Sequence, residues 1–313
     1  MHNNQITNNI LMIRPVNFRM NEETAINNFY QKSLEDFTSD EIQASALKEF
    51  DALVDKLKSI GVNVIVVNDK VHPNTPDSIF PNNWISFHEN GDVGLYPMFA
   101  PNRRLERRDD ILGILEDKGF LIENVVDYSS AEIDEIYLEG TGSIVLDREH
   151  QNAYCALSPR AEEELFIEFC EDFDYNPIVF SAYQTVNDKR ELIYHTNVMM
   201  CVGTSFVVVC LDAIADKKER KNLIHHILES GKEIINITEN QVSQFAGNML
   251  QVKGDQEKSY IVMSESAYKS LTNQQIDQIK KHSEIVYSDV NTIETCGGGS
   301  VRCMMAEVFL PKN

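Results

Sequence analysis

A fourfold internal repeat limits most strongly how this chain can fold. Short motifs that each open with an aromatic residue recur at intervals of about 50 to 60 residues, and they begin at Phe80, Tyr137, Tyr194 and Phe245. After each motif the sequence predicts two strands joined by a polar turn, then a helix with apolar residues three and four apart, and then a third strand. Each period is therefore a ββαβ unit. Short strands that alternate with helices at a fixed period favour a radial or solenoid array.

The two ends of the chain together supply a fifth unit. The apolar run Val301–Leu310 would form its first strand and Asn9–Arg14 its second. A helix over Glu41–Ile60, with Ser39 as N-cap candidate, and a strand over Asn63–Asn68 would complete it. Pairing of the terminal strands would close a ring and remove exposed sheet edges. We therefore predict a five-bladed α/β propeller with pseudo-fivefold ββαβ repeats.

Composition narrows the classes of function. The 313 residues, which we interpret as a single catalytic domain over 1–313, are 42% hydrophobic and 25% charged, as in ordinary globular proteins. A net charge of −21 argues against a nucleic-acid partner. We see no signal peptide and no apolar run of about 18 residues, so we expect no membrane span. The six cysteines form no CxxC pair and have no histidine at zinc spacing. We therefore expect reduced thiols in a cytoplasmic protein. We also expect no bound metal and no cofactor.

In a radial array, equivalent positions of the units point to one axis. The repeat would therefore bring together six polar residues and a thiol: Asn82, Asn83, Glu139, His195, Asn197, Asn248 and Cys303. A thiol, an imidazole and a carboxylate are what catalysis by a thiolate nucleophile requires. Cys303 follows three consecutive glycines, which let a ligand approach the backbone closely. We predict Cys303 as nucleophile, His195 as general acid and base, and Glu139 as the carboxylate that orients the imidazole or binds substrate.

These motifs resemble those of the guanidino-group-modifying enzymes, the pentein superfamily, which include arginine deiminases, dimethylarginine hydrolases, succinylarginine dihydrolases and glycine amidinotransferases. The resemblance covers essentially the whole chain. Arg302-Cys303-Met304 resembles the nucleophile strand, and Tyr194-His195-Thr196-Asn197 resembles the general acid/base motif. Leu138-Glu139-Gly140-Thr141-Gly142 resembles the acidic substrate-binding motif. Pro76–Asn83 resembles the segment with guanidine-binding carboxylates, and Ser158–Ala161 the segment with an arginine for the substrate α-carboxylate.

Two amides depart from the pattern of the members that act on cations. Asn83 and Asn197 stand where those members commonly carry aspartate. An amide offers both a donor and an acceptor, as a neutral ureido group requires, whereas a carboxylate only accepts. The two amides therefore favour citrulline as substrate. The segment Gln244–Leu250 also resembles the citrulline-utilisation hydrolases. Asp77 and Glu139 remain, however, and two carboxylates could still hold arginine.

The resemblance therefore implies a cysteine-dependent hydrolase of a ureido or guanidino C–N bond, with citrulline as the leading substrate and water as the second reactant. The implied substrate-binding residues are Asp77, Asn83 and Asn197 around the planar group, Arg160 on the α-carboxylate, and Arg104 or its neighbour Arg103 at the pocket mouth. The alternatives are an arginine deiminase or dimethylarginine hydrolase, an amidinotransferase and, least favoured, a non-catalytic binding propeller. A homo-oligomer is compatible with each of them.

Overall fold

Short strands and helices alternate along the chain in the computed structural model, which describes residues 4–34 and 36–312. The strands are β1 (Asn9–Arg14), β2 (Asn63–Asn68), β3 (Ile85–Phe87), β4 (Asp92–Leu95), β5 (Asn124–Asp127), β6 (Ile144–Asp147), β7 (Asn152–Ala156), β8 (Asn176–Phe180), β9 (Tyr183–Val186), β10 (Lys189–Leu192), β11 (Met200–Val202), β12 (Phe206–Val209), β13 (Glu233–Asn236), β14 (Leu250–Lys253), β15 (Ser259–Ser264), β16 (Glu284–Ser288) and β17 (Ala306–Glu307). The α-helices are α1 (Ser39–Ser59), α2 (Pro101–Arg104), α3 (Asp110–Glu116), α4 (Gly140–Ser143), α5 (Glu163–Asp172), α6 (Thr196–Met199), α7 (Lys217–Glu229), α8 (Glu239–Val242), α9 (Glu265–Ser270), α10 (Asn273–Lys280) and α11 (Asn291–Gly297).

Five three-stranded sheets carry the architecture. Their strand orders are β3-β4-β5, β6-β7-β8, β11-β12-β13, β14-β15-β16 and β17-β1-β2. In every sheet the central strand pairs antiparallel with the first strand and parallel with the third. At least one helix connects the second and third strands of each sheet, because parallel neighbours need a crossover connection. The predicted order ββαβ is therefore present in all five units of this mixed α/β fold.

The fifth sheet is built from both ends of the chain, as predicted. Strand β1 pairs with β2 over its full length, and on its other side Ile10 lies opposite Glu307 of β17. Neighbouring units contact each other through their first strands, in the pairs β17–β3, β6–β11 and β11–β14. In the described ranges no strand pairing joins one sheet to the next. The closed ring of five blades thus stays a prediction.

Several predicted elements differ from those in the structure. The sequence predicts one helix between the second and third strands of each unit, but the unit of β3, β4 and β5 has two, α2 and α3. Between them Arg107 donates to Glu132. The strand expected over Val301–Leu310 is reduced to β17, because Val301–Met304 form a 3₁₀ helix. The hairpin β9–β10 and helix α11 were not predicted.

The N-cap of helix α1 lies one residue before the predicted one. This cap is Thr38, whose hydroxyl accepts from Glu41 N while the Glu41 carboxylate accepts from Thr38 N. Ser39, the predicted cap, is the first helical residue. The buried face of α1 repeats every three or four residues and packs on the fifth sheet. No helix in the described ranges is long and apolar enough to cross a membrane.

Candidate active site

Each unit presents its candidate residue at the same place, on the short turn before its first strand. The 3₁₀ helix Pro81–Asn83 leads into β3, α4 into β6, α6 into β11 and the 3₁₀ helix Val301–Met304 into β17. These turns carry, or directly follow, Asn82, Asn83, Glu139, His195, Asn197 and Cys303, and in the remaining unit Asn248 stands two residues before β14. Because three pairs of these turns contact each other, residues remote in sequence meet in one buried cluster.

Two side-chain amides hold the thiol of Cys303. Asn248 Nδ2 donates to Cys303 Sγ at 3.2 Å, and Asn197 Nδ2 lies 3.6 Å from the same sulfur. Asn248 is itself fixed, since its Oδ1 accepts from Arg302 N at 3.1 Å. N–H donors aimed at a sulfur favour its anionic form. The geometry therefore suits Cys303 as the nucleophile.

His195 and Glu139 form a buried pair. His195 Nε2 lies 2.7 Å from Glu139 Oε2, and Phe99 N donates to Glu139 Oε1 at 3.0 Å. Burial lowers the pKa of His195 to about 4, although Glu139 opposes this effect. Burial raises the pKa of Glu139, but Arg160, His195 and Arg103 together lower it to about 2. Near neutral pH the imidazole is therefore neutral and the carboxylate ionised.

The hydrogen bond to Glu139 also assigns the imidazole tautomer. An ionised carboxylate only accepts, so the proton of the neutral ring is on Nε2 and Nδ1 has a free lone pair. A Cβ placed on Gly142 would lie 2.8 Å from His195 Nδ1 and 2.3 Å from Asn83 Nδ2. Glycine at position 142 therefore keeps room for Nδ1, which is the nitrogen able to take up a proton.

Asp77 lies beside this pair and is bound on one side only. Its Oδ2 accepts from Asn21 Nδ2 at 2.8 Å and Thr24 Oγ1 at 3.1 Å. Its Oδ1 is buried and has no hydrogen-bond partner in the described part of the chain. Burial raises the pKa of Asp77, and Arg103 opposes this rise. Since buried polar atoms are normally paired, the unpaired oxygen points to a ligand donor.

Arg103, and not Arg104, enters the cluster. Arg103 donates to both Glu106 oxygens, at 2.9 and 3.0 Å, and to Asn83 Oδ1 at 2.9 Å. Asn83 Nδ2 is buried and has no partner among the residues that the structure describes. Arg104 instead donates to Met98 O and does not line the cavity around Cys303. The sequence predicted either arginine at this place and contained no signal for Glu106.

Arg160 also reaches the cluster. Its side chain is buried, lies over the Tyr194 ring at 4.9 Å, and its Nη1 is 3.5 Å from Glu139 Oε2. Its other donors are occupied, because Nε donates to Asn27 Oδ1 at 2.9 Å and Nη2 to Thr24 O at 3.0 Å. To clamp a substrate carboxylate, Arg160 would first have to exchange these partners.

Residues 21–31, here called the covering segment, close the cavity. Asn21, Thr24, Asn28 and Gln31 are buried, and the last two donate to backbone oxygens of the 296–298 turn. The cavity beneath has a volume of about 10 Å³, which is close to the minimum for one water molecule. An amino-acid substrate is larger than this volume, so part of the lining must move before the substrate can bind. No sequence motif indicated this segment.

The fold is similar to solved structures of arginine-related enzymes. ArgZ, an arginine dihydrolase from the ornithine-ammonia cycle in cyanobacteria, shares 16% identity with a TM-score of 0.73, and the match covers 97% of this chain but 41% of ArgZ. The N-terminal domain of ArgZ alone is covered to 99%, with a TM-score of 0.71 and 15% identity. A dimethylarginine dimethylaminohydrolase bound to S-methyl-L-thiocitrulline shares 13% identity with a TM-score of 0.64, and the match covers 97% of this chain and all of that one.

Sequence comparison assigns the family. No curated protein matches the chain. The family model described as N,N dimethylarginine dimethylhydrolase, eukaryotic, matches residues 14–310, which is nearly the whole length. The resemblance to the pentein superfamily is thereby confirmed. The chain belongs to the N,N dimethylarginine dimethylhydrolase family of these guanidino-modifying proteins.

Proposed function

We propose that the protein is a cysteine-dependent hydrolase acting on the guanidino carbon of arginine or of an N-methylated arginine. One observation carries the proposal: Asp77 lines the cavity beside Cys303, and its buried Oδ1 accepts no hydrogen bond from the described residues. A guanidinium carries only N–H donors and is always charged, so it supplies what this oxygen lacks.

The charge balance of the cluster supports a cationic substrate. Three carboxyl groups (Asp77, Glu106 and Glu139) face two guanidinium groups (Arg103 and Arg160), and His195 is neutral. Burying an uncompensated charge is costly. Burial raises the pKa of Glu106 to about 8, so this third carboxyl group keeps its proton near neutral pH until a cation arrives. A bound guanidinium would compensate its charge once the proton leaves, whereas a neutral ureido group would not.

The side chains present can move the protons that the reaction requires. His195 and Cys303 line the same cavity, but no hydrogen bond joins them in the described residues, so the thiol proton reaches His195 Nδ1 through a bound water. The Cys303 thiolate then attacks the guanidino carbon to form a C–S bond. The C–N bond to ammonia or a methylamine then breaks as His195 delivers the proton to the leaving nitrogen, which leaves an S-alkylthiouronium group on Cys303. His195 next takes a proton from water, whose oxygen attacks the same carbon. As the C–S bond breaks, the proton on His195 returns to sulfur, and the proton of the new hydroxyl group passes to solvent, where the released amine takes it up; citrulline then leaves.

Hydrolysis of citrulline is a second candidate, and Asn83 favours it. Asn83 Nδ2 is a buried donor that has no acceptor within residues 4–34 and 36–312, and a ureido oxygen could supply one. In this reaction the ureido carbon would form a carbamoyl thioester with Cys303, and ornithine, ammonia and carbon dioxide would be the products. The third carboxyl group, which a bound cation can ionise, favours the guanidino substrate as the better ligand.

A product assay distinguishes these functions. Purified protein is incubated in parallel with arginine, N-methylated arginines and citrulline, with glycine added in a second series as amine acceptor. We expect citrulline from at least one guanidino substrate and no product from the variant Cys303→Ala. Ornithine from citrulline, with the guanidino compounds inert, would replace the proposal by the second candidate. Transfer to glycine would indicate an amidinotransferase, and no turnover of any compound a binding protein.

A further inference from the structure

A second cavity, of about 210 Å³, lies apart from the candidate active site. It is enclosed by the turns that follow β3 and β6 and by the residues after α5, and it shares no lining residue with the cavity at Cys303. At about 30 Å³ per molecule of liquid water, its volume corresponds to roughly seven waters. It is therefore large enough for a small organic molecule.

Arg148 supplies a buried positive charge to this cavity. The residue is 4% exposed, and its guanidinium lies over the Phe309 ring at 4.0 Å. Among residues 4–34 and 36–312, no carboxylate lies within 4.0 Å of the Arg148 nitrogens, whereas the buried Arg103, Arg160 and Arg302 each have one. Burial lowers the pKa of His88, which also lines the cavity, and the positive charge of Arg148 lowers this pKa further. A buried cation without a counter-ion favours the uptake of an anionic group.

Two carboxylates lie in the same lining. Glu89 and Asp174 both line the cavity, and Glu89 is bound through Oε1 alone, to Asn4 N at 3.0 Å and Asn4 Nδ2 at 2.7 Å. Neither carboxylate forms an ion pair with a lysine or arginine of the described residues. The cavity therefore offers a cationic side chain to an anionic group of a ligand and two carboxylates to a cationic group.

The rest of the lining is partly aromatic. The rings of His88 and Phe173 stack at 4.0 Å, and Tyr175 completes this wall. Such a wall suits a small apolar side chain. The chain's net charge of −21 would repel a free anion, but it does not repel a molecule whose charges cancel.

We propose that this cavity is a second ligand site, which binds a small zwitterionic α-amino acid with its carboxylate on Arg148 and its ammonium on Glu89 or Asp174. The apolar side chain packs on Phe173. The site does not depend on the proposed catalytic function, since it shares no residue with the active-site cluster.

Isothermal titration calorimetry on the full chain tests the proposal. The probe is L-valine, and its matched analogues are isovalerate, which lacks the ammonium, and isobutylamine, which lacks the carboxylate. We expect saturable one-to-one binding of L-valine, with both analogues about tenfold weaker or more, because each loses a hydrogen bond to a charged group. The variant Arg148→Gln should lose about tenfold or more in affinity, whereas Arg220→Gln, which removes an equal charge on helix α7, should bind like the native chain.

A second variant keeps the test decisive if Arg148→Gln does not fold, which its circular dichroism would show. The double variant Glu89→Gln, Asp174→Asn should weaken L-valine severalfold without weakening isovalerate. Absence of L-valine binding to the native chain would overturn the proposal. Equal affinity of the native chain for isovalerate, inorganic phosphate and L-valine would also overturn it, since the site would then recognise an anion alone. Undiminished binding by a folded Arg148→Gln variant would place the ligand elsewhere.

Discussion

Asn248 donates a hydrogen bond of 3.2 Å to the sulfur of Cys303, and loss of this contact should change the reactivity of the thiol. Replacement Asn248→Ala removes an N–H donor from the thiolate. A hydrogen bond to a charged group contributes about 1.5–3 kcal/mol, so alkylation of Cys303 by iodoacetamide at fixed neutral pH should slow by about tenfold or more. Mass spectrometry of the modified peptide gives the alkylation rate. The other five cysteines should react little, because burial raises the pKa of their thiols.

The exposed asparagine of β8 provides the control for this experiment. Asn176→Ala should leave the alkylation rate unchanged. Asn248→Asp should react more slowly than Asn248→Ala, because a carboxylate beside the sulfur opposes its negative charge. Equal rates for native and Asn248→Ala proteins would exclude a role of Asn248 in stabilising the thiolate.

The carboxyl groups of the cluster predict that a cation binds with release of protons. Burial raises the pKa of Glu106 to about 8 against the opposing charge of Arg103, and burial also raises the pKa of Asp77. An incoming guanidinium lowers both pKa values, so arginine should bind the inactive Cys303→Ala variant more tightly as the pH rises towards 8 and should release protons on binding. Neutral citrulline should do neither.

Calorimetric titration in two buffers of different ionisation enthalpy measures this release. The variant Glu106→Gln, combined with Cys303→Ala, should release fewer protons with arginine and show a weaker dependence on pH. If arginine and citrulline released the same number of protons, the excess of carboxylates would not determine the choice of substrate.

At the scale of elements, the repeat predicted which turns would meet, but it did not predict which arginine would join them. The turns before the first strands carry His195 and Cys303 into the lining of one cavity, and Glu139 lies within hydrogen-bond distance of His195, as their equivalent positions in the repeat indicated. Arg103 and Arg104 are adjacent on α2, and neighbouring residues of a helix point roughly 100° apart. The break after α2 sets which of the two faces inward, and the sequence showed no break there.

The covering segment was not predictable for a different reason. Its buried residues are polar, and their hydrogen-bond partners come from distant parts of the chain, such as Asp77 and the 296–298 turn. Periodicity identifies apolar faces that pack on a core, whereas a polar face that covers a polar cavity has the composition of an exposed loop. Only the folded structure shows that Asn21 and Thr24 are buried.

This construction predicts that the covering segment opens more readily than its neighbours. Residues 21–31 form no strand and no α-helix, and their buried contacts are mainly polar, unlike the apolar face of α1. Hydrogen–deuterium exchange of Cys303→Ala should therefore be faster in residues 21–31 than in α1, and saturating arginine should slow it in that segment. Residues of α7, on the outside of another unit, provide the control and should be unaffected. Equal protection of the covering segment and α1 without ligand would contradict entry through this segment.

At the scale of the whole molecule, the last strand decides whether the units form a closed ring or an open array. Strand β17 pairs with β1 and also contacts β3, so it joins the unit built from the termini to the next one. In an open array each unit contacts only its neighbours along the chain, and loss of an end unfolds the end unit alone. In a ring, loss of one unit exposes the flanks of both neighbours and removes the closure on which all units depend.

Deletion of Ala306–Asn313 distinguishes the two arrangements. It removes β17 and the buried side chains of Val308, Phe309 and Leu310, and losing a large buried side chain costs about 2–5 kcal/mol. The combined cost is comparable with the about 5–15 kcal/mol that stabilises a typical domain, so in a ring the truncated chain should lose its fold throughout. Circular dichroism should then show no cooperative thermal transition, and amides of the remote sheet β11-β12-β13 should exchange freely. Removal of Lys312 and Asn313 alone, which loses the contacts of Lys312 with Phe120 and Asn9, should lower the free energy of unfolding by about 1 kcal/mol or less. If the truncated chain kept protected amides in β12 while losing those of β1, the five units would be an open array, and the predicted propeller would be wrong.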